Sequence, residues 1–558
     1  MPRPLSLLLF ALLGSLAMAQ DQRAAFLVPL QALLHRPLST APLPWATLLR
    51  PPTEVAVNLV QLDGSDPFAN LESEWLDPRL RDSEGLALQR EGDQLLLVGT
   101  DPALSSARDR ALAVLDLLSR EVRVEFAGWD ASDRDTPSPV LTANDYATFA
   151  ANRTPLWHCS STLRVGGSTQ LQRWRWTTYA RGVDLGIAKD AVVAVPAIST
   201  FGDGGQAALQ VFGLTGVDDL VVHLQYAAAQ RRGLVRTQPT GTATGNEIDL
   251  PVLESYFGTA SALVANGGAM AITLRGHAST GGQLVLTLRV TASPAKGEAA
   301  RNQGVFPIGA LSHPALTQGA TWEHSPGDQW DGSFVVGEPR FGTGAIGHEH
   351  LHDLLSSMAG LGPDEGQLKF AADHVFVYAP PAERQRVEAA LRELQQRQLR
   401  TVSVQHTGSL TAPEPGASST SVPLFDLVGP TLLGRRTFAS RCLETNAIRH
   451  PEEEVAEGTF ATRPAVEPLQ SGLWTSTCVT SFGERLLVDT ELHCAVAATP
   501  LTRIAAATGA VFSTVERSGR DAAHRGSATL GKPIDHGDGP SLQLEGRSYR
   551  SAIATTVR

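Results

Sequence analysis

Two stretches decide how this chain reads: DQLLLVGTDPALSSARDRALAVLDLLSREVRVE, Asp93 to Glu125, and DHVFVYAPPAERQRVEAALRELQQRQLRTVSVQ, Asp373 to Gln405. They align over 33 residues without a gap, at a constant offset of 280. Each opens with four strand-forming residues, Leu95-Leu96-Leu97-Val98 and Val375-Phe376-Val377-Tyr378. Each then turns at proline, Pro102 in one and Pro380-Pro381 in the other. An apolar stripe near the 3.6 period follows: Leu104, Ala107, Ala111, Leu115 and Leu118, against Val387, Ala390, Leu391 and Leu394. Each closes on a short alternating segment, Val122-Arg123-Val124 and Val402-Ser403-Val404. The pattern predicts a strand–helix–strand unit that buries one sheet face under one helix.

The similarity continues outward from these units. Arg153-Thr154 precedes Cys159 at the same distance as Arg436-Thr437 precedes Cys442. VPAISTFGDGG around Pro196 aligns with RPAVEPLQSG around Pro464. A strand, a turn and a second strand then follow in each copy. They are expected at 206–212 and 220–226, and at 473–480 and 486–492, the latter pair joined by Phe482-Gly483-Glu484. TQLQRWRWTTYA, Thr169 to Ala180, has no close match in the second copy. The expected fold class is therefore α+β and β-rich, with two tandem modules. Each module is a small αβ unit followed by a β-sheet or sandwich-like unit. The expected order is a signal peptide at 1–19, a lead-in at 20–54, an αβ unit at 55–126 and a β-rich unit at 137–292. A polar linker at 293–330, a second αβ unit at 331–406 and a second β-rich unit at 420–558 complete it.

Composition sets the outer bounds. The 558 residues are 42% hydrophobic and 18% charged, which suits several folded domains. A net charge of -11 argues against nucleic acid as a partner, because phosphate binding needs a basic surface. Arg3, the apolar run Leu5 to Leu16 and Ala17-Met18-Ala19 form an export signal, with cleavage expected before Gln20. The expected location is the periplasm or outer membrane. No later apolar run reaches helical membrane-spanning length. The alternating β units are compatible with barrel strands, so membrane association through them stays open. Cys159, Cys442, Cys478 and Cys494 form no metal-knuckle spacing, and Cys442 has both Cys478 and Cys494 as candidate disulfide partners.

The 33-residue units resemble the periplasmic N-domains of secretins, the ring proteins of bacterial secretion systems. Leu97-Val98-Gly99-Thr100 followed by Ala111–Leu118 carries the resemblance in the first copy, and Ala379-Pro380 followed by Val387–Leu394 in the second. Val422 to Gly434, VPLFDLVGPTLLG, resembles a segment of the secretin pore domain. A secretin carries several N-domains and then one long pore domain; here one N-domain-like unit alternates with one β unit, twice. The resemblance implies units that act by packing against neighbouring copies and protein partners, with no catalytic role and no cofactor.

GHEHLHDLL, Gly347 to Leu355, raises the competing reading of a zinc hydrolase. His348 and His352 stand at i and i+4, with Glu349 placed as a general base. Against it, Gly342, Gly344 and Gly347 put His348 at a helix start, Asp353 follows the second histidine, and a third ligand is undefined beyond Glu365. HLHDLLSSMAG is then the opening helix of the second αβ unit, matched by PFANLESEWLD, Pro67 to Asp77, which has no histidine. Trp174, Trp176 and Tyr179 suggest a third reading, a carbohydrate-binding or adhesin face, although alternate aromatics on a strand more often serve a core. Arg153 and Arg436 read as turn or salt-bridge residues. Glu383, Arg384, Arg386, Glu388, Arg392 and Glu393 read as the solvated face of a helix. No catalytic, cofactor or metal residue is assigned. The mature protein is expected to hold no stoichiometric zinc; one tightly held zinc per chain, lost in His352→Ala, would overturn this.

Overall fold

The computed structural model describes residues 23–29, 87–91, 94–100 and most of 120–558. β1 (Arg23–Pro29), β2 (Ala87–Glu91) and β3 (Gln94–Thr100) form an antiparallel sheet of order β1-β3-β2. Leu95–Val98 thus lie in the central strand, and the lead-in contributes an edge. The helix expected over 104–118 and the segment 67–77 lie outside the described residues.

The next run is β4 (Glu121–Ala131), β5 (Val140–Leu141), α1 (Ala143–Ala150), β6 (Trp157–Arg164), β7 (Ser168–Ala188), β8 (Ala191–Leu214) and β9 (Val217–Thr237). β10 (Ile248–Val264), β11 (Ala269–Arg275) and β12 (Gln283–Ala292) complete it. Thr142 and Asp145 start α1 with a reciprocal capping box. A small αβ unit follows: β13 (Val305–Pro307), α2 (Gly309–Ser312), the short pair β14 (Ala320–Trp322) and β15 (Phe334–Val336), α3 (His348–Ala359), β16 (Leu368–Ala371), β17 (His374–Val377) and α4 (Pro381–Gln398). Its sheet order, β13-β17-β16, places the last-formed strand centrally, as in β1-β3-β2. β13 and α2 come from the stretch expected to be linker. Pro381 opens α4 at a position where its missing N–H costs nothing, and Gly360 closes α3 at φ 60°.

The chain ends in β18 (Thr401–Thr411), β19 (Val422–Leu432), β20 (Arg436–Ala456), β21 (Thr459–Phe482), β22 (Arg485–Ala497), the hairpin β23 (Thr502–Ala505) and β24 (Val511–Thr514), β25 (Arg517–Ala528), β26 (Pro533–Leu544) and β27 (Arg547–Val557). Two large antiparallel sheets gather most of these strands. One runs β26-β27-β18-β19-β11-β12-β4-β6, with β5 beside β11; the other runs β25-β22-β21-β20-β10-β9-β8-β7. Each sheet carries the same four-strand order twice, once from β4–β12 and once from β18–β27. The sheets pack face to face over a core that includes Val124, Phe126, Leu209, Leu224, Tyr256, Ile272, Leu288, Phe425 and Leu473. The strands closing the two 33-residue units, β4 and β18, belong to this sandwich.

The chain crosses between sheets at four corners, each with a glycine at positive φ: Gly166 (84°), Gly267 (83°), Gly434 (76°) and Gly531 (75°). A side chain is disfavoured in that conformation. The corner hydrogen bonds recur in pairs. Val165 N–H donates to Arg120 O and Leu433 N–H to Arg400 O, both at 2.9 Å. Gly166 N–H donates to Val211 O and Gly434 N–H to Val479 O, both at 2.7 Å. Gly267 N–H donates to Val290 O at 2.9 Å, and Gly531 N–H to Val557 O at 2.7 Å.

These corners correct part of the sequence alignment. Matching Gly166 to Gly434 sets β7 against β20, so the Trp174 strand does have a counterpart. Cys159 lies on β6 and Cys442 on β20, in different sheets, because the first half inserts β5 and α1 between β4 and β6. No disulfide joins Cys159, Cys442, Cys478 and Cys494.

The two halves fill matched core positions differently. Phe126 faces Leu288 and Leu209 faces Leu224 in the first; His406 faces Thr555 and Thr477 faces Thr490 in the second. His406 Nδ1 lies 3.0 Å from Thr555 Oγ1, and Thr477 Oγ1 3.1 Å from Thr490 Oγ1. Burial, helped by nearby His536, lowers the His406 pKa to about 3. A histidine held neutral in the fold contributes stability above its unfolded pKa of about 6.5, lost as pH falls below it. Between pH 7 and 5 this amounts to about 2 kcal/mol for a fully buried imidazole. His406→Phe, which installs the first half's residue, is expected to flatten the pH dependence of stability in that window. Denaturant melts at pH 7 and pH 5 measure it; an unchanged difference between them would refute the assignment.

Candidate assembly seam and sheet edges

The two halves of the sandwich meet along a seam made of backbone pairing. β10 runs antiparallel to β20 from Leu253↔Glu444 to Gly258↔Ala439, and β11 meets β19 from Thr273↔Val428 to Arg275↔Asp426. Beside the ladder, Ser440 Oγ donates to Phe257 O at 3.2 Å and Phe438 N–H donates to Thr259 Oγ1 at 3.1 Å. Phe257 and Phe438 pack with ring centres 5.2 Å apart, in a cluster with Ala227 and Cys442.

One charge cluster is buried in this seam. Glu254 on β10 is fully enclosed. Arg441 Nε, from β20, donates to its Oε1 at 2.6 Å, and Arg232 Nε, from β9, donates to Oε2. Burial alone would raise the Glu254 pKa; the two guanidinium groups outweigh it and hold the carboxyl below its ordinary range. A Cβ at Gly276 would fall 2.0 Å from Glu254 Oε1, so glycine is required for the close approach. The cluster ties β9, β10 and β20 together and fixes which residues face each other across the seam.

Four strands end the sheets: β6 and β7 on one side, β25 and β26 on the other. Exposure differs sharply between seam and edge. Tyr256, Phe257, Ser440 and Arg441 are buried at the seam, whereas Gln170, Gln172, Arg173 and Arg175 on β7 are exposed. The eight-stranded sheet curls, bringing β7 near β10, β20 and β21. A strand with one neighbour leaves a row of backbone N–H and C=O groups for another strand.

The residues singled out from sequence scatter over the molecule. His348 is the first residue of α3, and its ring stacks on Phe370 at 5.4 Å; His352 also approaches Phe370 and lies 3.5 Å from Asp353 Oδ1. Glu349 is exposed, and Glu365 lies outside the described residues. No group of three or more His, Cys, Asp or Glu able to hold a metal occurs among the described residues. Trp174 and Trp176 share one face of β7, ring centres 6.0 Å apart, above Gly202, and Trp174 Nε1 donates to Gln206 at 3.4 Å. Tyr179 packs on Phe201. Arg153 closes α1 by donating to Phe149 O and lying over its ring, while Arg436 binds Ser476 and Asp489 on the sandwich. The α4 charges form intrahelical pairs, Glu383–Arg386, Glu388–Arg392 and Glu393–Arg397. Arg384 donates to Asn302 O. Burial pushes the Cys159 thiol to about 11 and that of Cys494 to about 12, which leaves neither a thiolate nucleophile at neutral pH. Sequence reasoning missed Glu254, Arg232 and Arg441, whose strands are distant in the chain and carry no motif.

Comparison with known proteins yields little. No family model matches the chain, and no curated protein does. Among solved structures the chain is similar to the "InvG secretin domain beta-barrel from Salmonella SPI-1 injectisome NC-base", at 9% identity and a TM-score of 0.20. The match covers 49% of this chain and 85% of that one. A likeness this slight assigns no family.

Removing the seam carboxylate should be severe. Glu254→Gln leaves the buried Arg441 and the partly buried Arg232 guanidinium groups without their counter-ion, a loss of about 3–5 kcal/mol. Because the Glu254 pKa is depressed, its contribution is present above the ordinary carboxylate range and is lost as pH falls through the folded value. Chemical denaturation of wild type and variant at pH 7 reads this; a change below about 1 kcal/mol would exclude a structural role for the cluster.

Proposed function

We propose that this is a non-enzymatic exported envelope protein, built of two tandem secretin-like modules, that acts by assembling with copies of itself and protein partners, in a secretion-type scaffold. The observation that carries this reading is the doubled strand order. In both sheets the second half continues the first by pairing unlike edges: β20, the counterpart of β7, pairs with β10, the counterpart of β25. Likewise β19, the counterpart of β6, pairs with β11, the counterpart of β26.

An interface between unlike edges does not use itself up. The β25–β26 edge of one copy is of the same kind as the β10–β11 edge that accepts β20 and β19. Repetition of such head-to-tail contacts gives a ring if the rotation closes and a filament if it does not. Sheet extension also satisfies edge groups that a single copy leaves to water. The export signal and the alternating strands support an envelope location. Partners are proteins, with a homo-oligomer first among them.

The proposal fixes a register. The corner glycines set β7 against β20 at an offset of 268 (Gly166 and Gly434) and β25 against β10 at 264 (Gly267 and Gly531). The Phe257↔Ser440 pair of the seam then becomes Asp521↔Gln172 between copies. The chain carrying both Gln172→Cys and Asp521→Cys should form a disulfide-linked ladder of multimers on mild oxidation, and neither single variant should. A doubly substituted chain that stays monomeric on non-reducing gels and in native mass would overturn the reading.

A further inference from the structure

A cavity of about 670 Å³ lies where three parts of the molecule meet. One wall is the β8–β9 turn of the first half, with Leu214, Thr215 and Asp219. A second is the last turns of α4, with Arg392 and Gln395; the third is the start of the second half, from Arg400 to Ser403. Leu263 at the end of β10 and Val140 on β5 complete the lining on the apolar side. Cavities of about 300–1,000 Å³ are the size that takes small molecules, on an apolar lining with a few polar groups.

The apolar part of the lining is continuous with two cores. Leu399 belongs to the core of the αβ unit, Leu214 and Leu263 pack against it, and Val140 packs against the inter-sheet core. The walls are tied to one another by side chains. Gln395, 4% exposed, accepts from Thr215 N–H through Oε1 and donates to Pro307 O through Nε2, both at 3.1 Å. Thr401 Oγ1 accepts from Leu263 N–H at 2.9 Å. A site held in this way loses little freedom when a ligand enters.

Three ionic side chains line the cavity, Arg392, Arg400 and Asp219. Arg392 is already neutralised. It pairs with Glu388 one turn earlier on α4, and its guanidinium rests on the β8–β9 turn, where a Cβ at Gly216 would come 2.8 Å from Nε. Arg400 and Asp219 differ from it. Among the described residues neither side chain has a hydrogen bond or ion pair, and the two do not pair with each other. The cavity therefore offers one cation, one anion and an apolar floor, with no net charge left over. A ligand of a single sign gains nothing overall from such a lining. A molecule with an ammonium group, a carboxylate and an apolar body matches it.

We infer that this cavity binds a short apolar peptide with free ends, about three residues long, with its carboxylate at Arg400 and its ammonium at Asp219. The bound peptide bridges the αβ unit and both halves of the sandwich. The site uses no residue of the sheet edges, so it stands or falls independently of the assembly proposed above.

Isothermal titration calorimetry on the full mature chain tests this with trileucine, N-acetyl-trileucine, trileucine amide and triglycine. Trileucine should bind once per chain. Each of the others should bind at least about tenfold more weakly, the loss expected for one charge-assisted hydrogen bond or for the apolar side chains. Arg400→Gln should erase the preference for trileucine over its amide, and Asp219→Asn the preference over the acetylated form. Arg400 is exposed and Asp219 half-buried, so both changes leave the core intact. Arg397→Gln, on α4 but paired with Glu393 and outside the cavity, should alter neither preference. Absence of trileucine binding at millimolar concentration would overturn the inference, as would equal binding of any of the other probes. Preferences that persist in Arg400→Gln and Asp219→Asn, or that vanish in Arg397→Gln, would overturn it too.

Discussion

Backbone pairing across β10·β20 and β11·β19 is the interaction on which the rest of this molecule depends. An antiparallel ladder tolerates no arbitrary offset, since a slip of one residue exchanges the faces of every side chain beyond it. Here the faces are fixed by what must be buried: Tyr256 toward the inter-sheet core and the Phe257–Phe438 pair elsewhere. Glu254, held by Arg232 and Arg441, adds a charge that is satisfied in one register only. Such a cluster is poor as a source of net stability and strong as a determinant of register, because misplacing it strands a buried ion.

The seam also explains the placement of the small αβ unit. A unit of this size has only a small core of its own. Its helices and three short strands gain a larger core by seating Phe306, Ile308 and Leu391 on Phe212 and Val221. In doing so the unit spans both halves, since Arg435 of the second half binds it as well. Sheet continuity and the αβ unit thus fix the same relative position of the two halves by independent means.

The two halves share corners, hydrogen bonds and strand order but not core chemistry. Apolar residues fill the first at positions where His406, Thr477, Thr490 and Thr555 form a hydrogen-bonded group in the second. Glycines at the crossings are held by backbone geometry, which permits few alternatives. Core side chains can be exchanged in concert so long as volume is kept and polar groups are satisfied. Divergence is therefore expected in the core before the corners.

Much of the local structure was legible in the sequence. The strands over 95–98 and 375–378, the helix over 381–398 and the helical start at His348 follow from periodicity, proline placement and glycine, which act over a few residues. The paired strands around 206–226 and 473–492 were legible for the same reason, as parts of longer strands. The match of Arg153 with Arg436 failed because a short motif cannot register an insertion such as β5 and α1. Sequence alone also determined the β-rich class. Only the tertiary structure decided which strands share a sheet, that β4 and β18 leave their αβ units to join the sandwich, and that Glu254 meets Arg441. Glu254 and Arg441 lie 187 residues apart, and pairings at such range are chosen by which edges and apolar faces can be buried together; no local pattern encodes them.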